Sequence, residues 1–154
     1  MTSILSPRMA LFDVVKAALL AVNGEGDYFH RIPKVVDIKV AVSDVQLDAL
    51  PWVPLMIGDD HYSDKSTSQR MIDSTDVAID FLIKPDPNRQ DGMSVYELLE
   101  RGIWDVRRTM ERNAGAAQYG MYTARSLHIT RGPRDEFALA TFVYTYDLRG
   151  SWGQ

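Results

Sequence analysis

The sequence predicts an α+β domain built as a mixed or antiparallel sheet of about five strands, with two main helices packed on one face. Three observations predict it. Two segments repeat apolar residues at three- and four-residue steps, and others alternate at steps of two. The order is helix, strands, long loop, strand, helix and strand hairpin, and two helices of this length can cover one face of a five-stranded sheet. The 154 residues contain no repeat, low-complexity tract or linker, so residues 1 to 154 read as one domain.

The first helix is expected from Pro7 to about Val22. Ser6 can cap it, and Pro7 fits a first turn because the missing amide hydrogen would have no helical partner there. Phe12, Val15, Leu19 and Val22 form its apolar stripe, with Asp13 and Lys16 facing outward, and Asn23, Gly24 and Gly26 supply the stop. From Val35 to Val42 the period is two, which predicts a half-buried strand. Trp52 to Ile57 carries Pro51 and Pro54 and reads as an edge or irregular strand, since proline donates no ladder hydrogen bond.

Gly58 to Ser74 is polar and without period, and predicts a long exposed loop with too little apolar area to order its backbone. Val77, Ile79, Phe81 and Ile83 then alternate with Asp76, Asp80 and Lys84 in a strand ended by Pro85 and Pro87. Ser94 and Glu97 have the spacing of a capping box. Val95, Leu98, Leu99, Ile103, Val106 and Met110 mark the helix behind it, with Glu97, Arg101 and Asp105 on the expected wet side. Residues 113–120 read as a loop. Strands over about Ala124 to Thr130 and Phe137 to Tyr146 close the chain through a turn at residues 131–135. Apolar bulk on both faces of the last strand predicts either a central strand or one whose outer face, with Phe142, Tyr144 and Tyr146, meets another chain.

Composition narrows the function. There is no cysteine, which excludes disulfides, thiolate metal sites and cysteine nucleophiles. A formal charge of −4 is the wrong sign for wrapping nucleic acid over the whole surface. The longest early apolar run, Val14 to Val22, is interrupted by Lys16 and is far shorter than the roughly 20 residues of a membrane span. Asp59, Asp60, His61 and Asp64 crowd possible metal ligands together, but without the spacing or glycine of an EF-hand loop, so a solvated acidic loop is the simpler reading. Asp76 and Asp80, roughly 13 Å apart along a strand, are too distant for a retaining carboxylate pair. His30, His61 and His128 are scattered and accompany no Gly-x-Ser-x-Gly turn. Gly24 and Gly26 follow a helix, not a strand, and so make no dinucleotide fingerprint. Arg107, Arg108 and Arg112 give the second helix a basic end, which the helix dipole favours and which also suits a phosphate or carboxylate on a partner. No catalytic, cofactor-binding or metal residue is assigned, and the chain reads as a non-enzyme.

Charge is also unevenly placed. Residues 59–91 hold eight acids and four bases, whereas residues 92–154 hold seven acids and eight bases, a distribution that suits head-to-side pairing of copies into a closed ring.

The layout adds one resemblance. An N-terminal helix, a strand, Leu50-Pro51-Trp52-Val53-Pro54-Leu55-Met56-Ile57-Gly58-Asp59, an acidic loop, a strand, a helix and an aromatic C-terminal strand together resemble the tail terminator proteins of long-tailed bacteriophages, also called minor tail or tail completion proteins. The resemblance spans most of the chain. It implies a structural virion protein of the tail, assembled in the host cytoplasm. Its copies would form a homo-hexameric ring that caps the tail tube protein and offers a surface to head–tail connector proteins, with no cofactor and no membrane. In such a ring Asp59, Asp60 and Asp64, with Lys65 and Arg70 nearby, would either line a bore through which DNA passes without specific binding or form a docking arm. Two alternatives stand beside it. One is a phage neck or head-completion protein. The other is a small α+β ligand-binding domain or enzyme with a pocket lined by Trp52, Trp104 and Tyr144.

Overall fold

A computed structural model of the chain describes residues 7–37, 40–62, 72–114, 122–132 and 136–147. Helix α1 spans Pro7–Leu20 and helix α2 Val95–Asn113. The strands are β1 (Val35–Val36), β2 (Val53–Tyr62), β3 (Ile72–Ile83), β4 (Tyr122–Arg131) and β5 (Ala138–Asp147). They form one sheet in the order β1-β2-β3-β5-β4, parallel between β1 and β2 and antiparallel elsewhere. The fold is therefore α+β with a five-stranded mixed sheet and both helices packed against it.

Alternation along the strands decides which side chains meet the helices. Val77, Ile79, Phe81 and Ile83 of β3 point to the same side as Phe142, Tyr144 and Tyr146 of β5, and join Leu11, Val15 and Leu19 of α1 and Leu99, Val106 and Met110 of α2 in the core. Leu11 is a core residue that the expected α1 stripe did not include. Helix α2 starts as its capping spacing predicts, with the Ser94 hydroxyl accepting from the Glu97 amide at 3.1 Å. After α1, Gly24 and Gly26 adopt φ of 77° and 62°, the left-handed backbone that glycine enters without steric penalty.

The structure corrects three expectations. Among the described residues, the strand expected over Val35 to Val42 pairs only at Val35 and Val36, opposite Val53 and Pro54, with residues 38 and 39 outside the described ones. The chain instead enters 3-10 turns at Val42–Asp44 and Leu47–Ala49.

The loop expected from Gly58 to Ser74 is strand at both of its ends. β2 continues to Tyr62 and β3 begins at Ile72, while residues 63–71 lie outside the described residues. Pairing with β5 as far as Asp147 holds the polar start of β3, where Thr145 donates a 2.7 Å hydrogen bond to Asp76 and Thr75 is fully buried. A register shift between Ile57 and Asp60 marks a bulge, and the Gly58 carbonyl there accepts from Arg8 at 3.1 Å.

Phe142, Tyr144 and Tyr146 do not form an outer face. All three are buried beneath the helices, and the Tyr146 hydroxyl donates to the Ala114 carbonyl just past α2 at 2.7 Å. A five-stranded sheet places β5 between β3 and β4, so its bulkiest register is claimed by the core. The opposite register carries the half-buried Leu139, Thr141, Val143 and Thr145.

Candidate interaction surface

The surface most out of keeping with solvent lies on α2. Trp104 is 59% exposed and Tyr96 43%, two helical turns apart on the side facing away from the sheet. Their neighbour Asp105 reverses the pattern. It was expected on the wet side but is only 1% exposed. Its carboxylate accepts from the Phe29 amide at 3.0 Å and the His30 amide at 2.8 Å, so a turn 75 residues upstream is fastened to the helix by charge-assisted hydrogen bonds.

That turn brings its own side chains to the surface. Arg112 meets Asp27 at 2.9 Å, and Arg108 donates to the Asp27 carbonyl. The Arg112 hydrogen bond, with the charges of Arg112 and Arg108 behind it, holds the Asp27 carboxyl below its ordinary range and raises Arg112 in return. His30 turns inward, with Nε2 2.8 Å from the Leu98 carbonyl, which fixes Nε2 as the protonated nitrogen because a carbonyl can only accept. Burial lowers the His30 pKa despite that bond and the nearby Asp105 charge. His30 is thus a satisfied core histidine, edge-on to Phe29 and near Phe81.

Aromatic rings and guanidinium groups alternate over the result. Arg101 lies 4.6 Å from the Phe29 ring centre, Arg131 4.0 Å from Tyr96 and Arg108 5.2 Å from Trp104. A hydrogen bond with Glu100 raises the Tyr96 phenol. Two shallow concavities flank Trp104. One, of about 460 Å³, lies toward Phe29 and Tyr96, and the other, of about 330 Å³, toward Arg107 and Glu111. Tryptophan, tyrosine and arginine are the residues most enriched where protein surfaces bind each other, because each combines large contact area with a directional polar group.

The residues proposed from sequence are not brought together here. Asp59 and Asp60 belong to β2, but their side chains, with Asp64, Lys65 and Arg70, lie outside the described residues. Trp52, Trp104 and Tyr144 do not line one pocket. Trp104 faces solvent and Tyr144 is core, while Trp52 lies in the register opposite the buried Val53 and Leu55, with its ring beneath the Lys34 ammonium at 5.2 Å. Asp76 and Asp80 share a face as expected, each accepting from a β5 threonine, at 2.7 Å from Thr145 and 2.8 Å from Thr141. Among the described residues there is no group of three potential metal ligands, and no helix long and apolar enough to cross a membrane. Sequence reasoning missed Phe29 and Tyr96, although two aromatics eight residues apart on the predicted wet face of α2 were a usable signal. No protein-family model matches the chain, and no curated protein matches it.

Proposed function

We propose that the chain is a structural protein of a long-tailed phage particle, a tail terminator whose copies form a hexameric ring on the end of the tail tube and present a surface to the head connector. The observation that carries this reading is the aromatic and arginine face of α2. It lies on a fold whose core is already complete without it, so it is available for binding other protein. Two further features support it. The element order follows the resemblance from α1 through the β2–β3 hairpin to the β4–β5 pair. Trp52, Trp104 and Tyr144 do not line one pocket, so the ligand-binding alternative loses the lining named for it.

In this reading β2 carries Asp59 and Asp60 toward the far end of its hairpin with β3. Asp59, Asp60 and Asp64 would repel DNA phosphates from the bore, or meet the connector.

Electron microscopy of particles made with and without the gene tests the proposal. Tubes that overrun their normal length, with heads left unjoined, are expected when the protein is missing. Tubes of normal length beside unjoined heads would move it to the neck. Complete, infectious particles would overturn both assignments.

A further inference from the structure

We infer that residues 40–49 of one copy dock on the Trp104 and Arg107 end of α2 in a second copy. The inference rests on the ring reading and names the contact that would build it. The two surfaces complement one another in both apolar and charged groups. Trp104 is 59% exposed beside the exposed Arg107, which has no carboxylate partner among the described residues. Arg112 is engaged by Asp27, so Arg107 is the cation left for an incoming acid.

Residues 40–49 offer the matching set. Leu47 is 48% exposed and Val40 39%, and the segment contains two acids, Asp44 and Asp48, and no base. Both carboxylates are exposed, and neither has a cationic partner among the described residues. The segment is already shaped. Its two 3-10 turns are pinned where Val45 is buried and the Lys84 ammonium donates to the Val45 carbonyl at 2.5 Å. A preformed segment loses less conformational freedom on docking than a loose one. Leu47 can cover Trp104 at the 330 Å³ hollow while Asp44 and Asp48 approach Arg107. Since the two patches are different parts of the chain, the contact is head-to-tail, and repeating it closes a ring or extends an open array.

The test uses the full chain with the photoreactive substitution Trp104→p-benzoylphenylalanine, mixing isotope-labelled and unlabelled copies at millimolar concentration. A cross-link from position 104 of one copy into residues 40–49 of another is expected. Two surface variants supply the energetic arm. Asp44→Lys with Asp48→Lys, and Trp104→Ala with Arg107→Glu, should each weaken self-association by about 100-fold in sedimentation, with unchanged circular dichroism. A one-to-one mixture should recover association, because each variant keeps the patch that the other has lost.

If the wild type associates and neither variant weakens it, the docking assignment falls while the terminator reading stands, since that reading is decided by tail length. A monomeric wild type with no cross-link into residues 40–49 overturns the inference equally. So does competition for the arginine face by short duplex DNA in place of a second copy.

Discussion

Two aromatic groups of this chain look alike in the sequence and have opposite fates. Phe142, Tyr144 and Tyr146 alternate along β5 and are buried under the helices, whereas Tyr96 and Trp104, eight residues apart on α2, stand in solvent. The difference lies in what is packed against each. β5 is flanked by β3 and β4 and covered by α2, so one of its two registers must be core. Helix α2 already buries Leu99, Val106 and Met110 on its inner side, and among the described residues no second layer covers Tyr96 and Trp104 on its outer side. Exposed aromatic area on such a helix is the surface that the proposed docking uses, and Asp105 fastens the neighbouring Phe29–His30 turn from below.

The sharpest way to break this comparison is to truncate the buried group. Phe142→Ala should cost about 3–5 kcal/mol in denaturant unfolding, through lost burial and the cavity left behind. Tyr144→Glu should abolish folding by placing a charge in the same core. A stable, folded Tyr144→Glu protein would return β5 to the surface.

Next in size is the residue that holds the exposed group in place. Asp105→Ala should lower stability by about 3 kcal/mol, since two buried amides lose a charged acceptor together. Amide exchange at Phe29 and His30 would rise, whereas unchanged protection there would show that the turn is held by other contacts.

Gly102→Ala probes how closely α2 approaches the sheet at Phe81 of β3. Alanine is the better helix former by about 1 kcal/mol, yet a Cβ at position 102 would collide with the Phe81 ring. A net loss of about 1–3 kcal/mol is expected, read as a lower unfolding midpoint.

A pH profile gives the fourth test. Burial keeps the folded-state pKa of His30 below its ordinary 6.5, so the unfolded chain takes up this proton first as pH falls. The His30 contribution is complete above about pH 6.5 and is lost progressively as pH drops toward the lowered folded value. Nuclear magnetic resonance should find His30 titrating below the ordinary histidine value of 6.5, and titration at or above that value would contradict the burial argument.

Trp104→Ala should change stability least, by about 0.5 kcal/mol or less, because the side chain has no core contact to lose. Its effect should fall on self-association. A large loss of stability would mean that the exposed group also belongs to the fold.

The sequence by itself determined both helices, the Ser94 cap of α2, the glycines that follow α1, the strands that became β3, β4 and β5, and the α+β class, while the expected Ser6 cap lies outside the described residues. These follow from local steric and periodic preferences that operate within a few residues. Only the tertiary structure decided the neighbours. It limited β1 to two residues, paired the polar ends of β2 and β3 with each other, and chose which register of β5 is core. It also buried Asp105, an acid at a wet-looking helical position, because Phe29 and His30 arrive there from a distant turn with two amides to satisfy. Hydropathy cannot foresee that exchange of places between Trp104 and Asp105. Whether a charge or an indole is better buried depends on which groups the rest of the chain brings beside it.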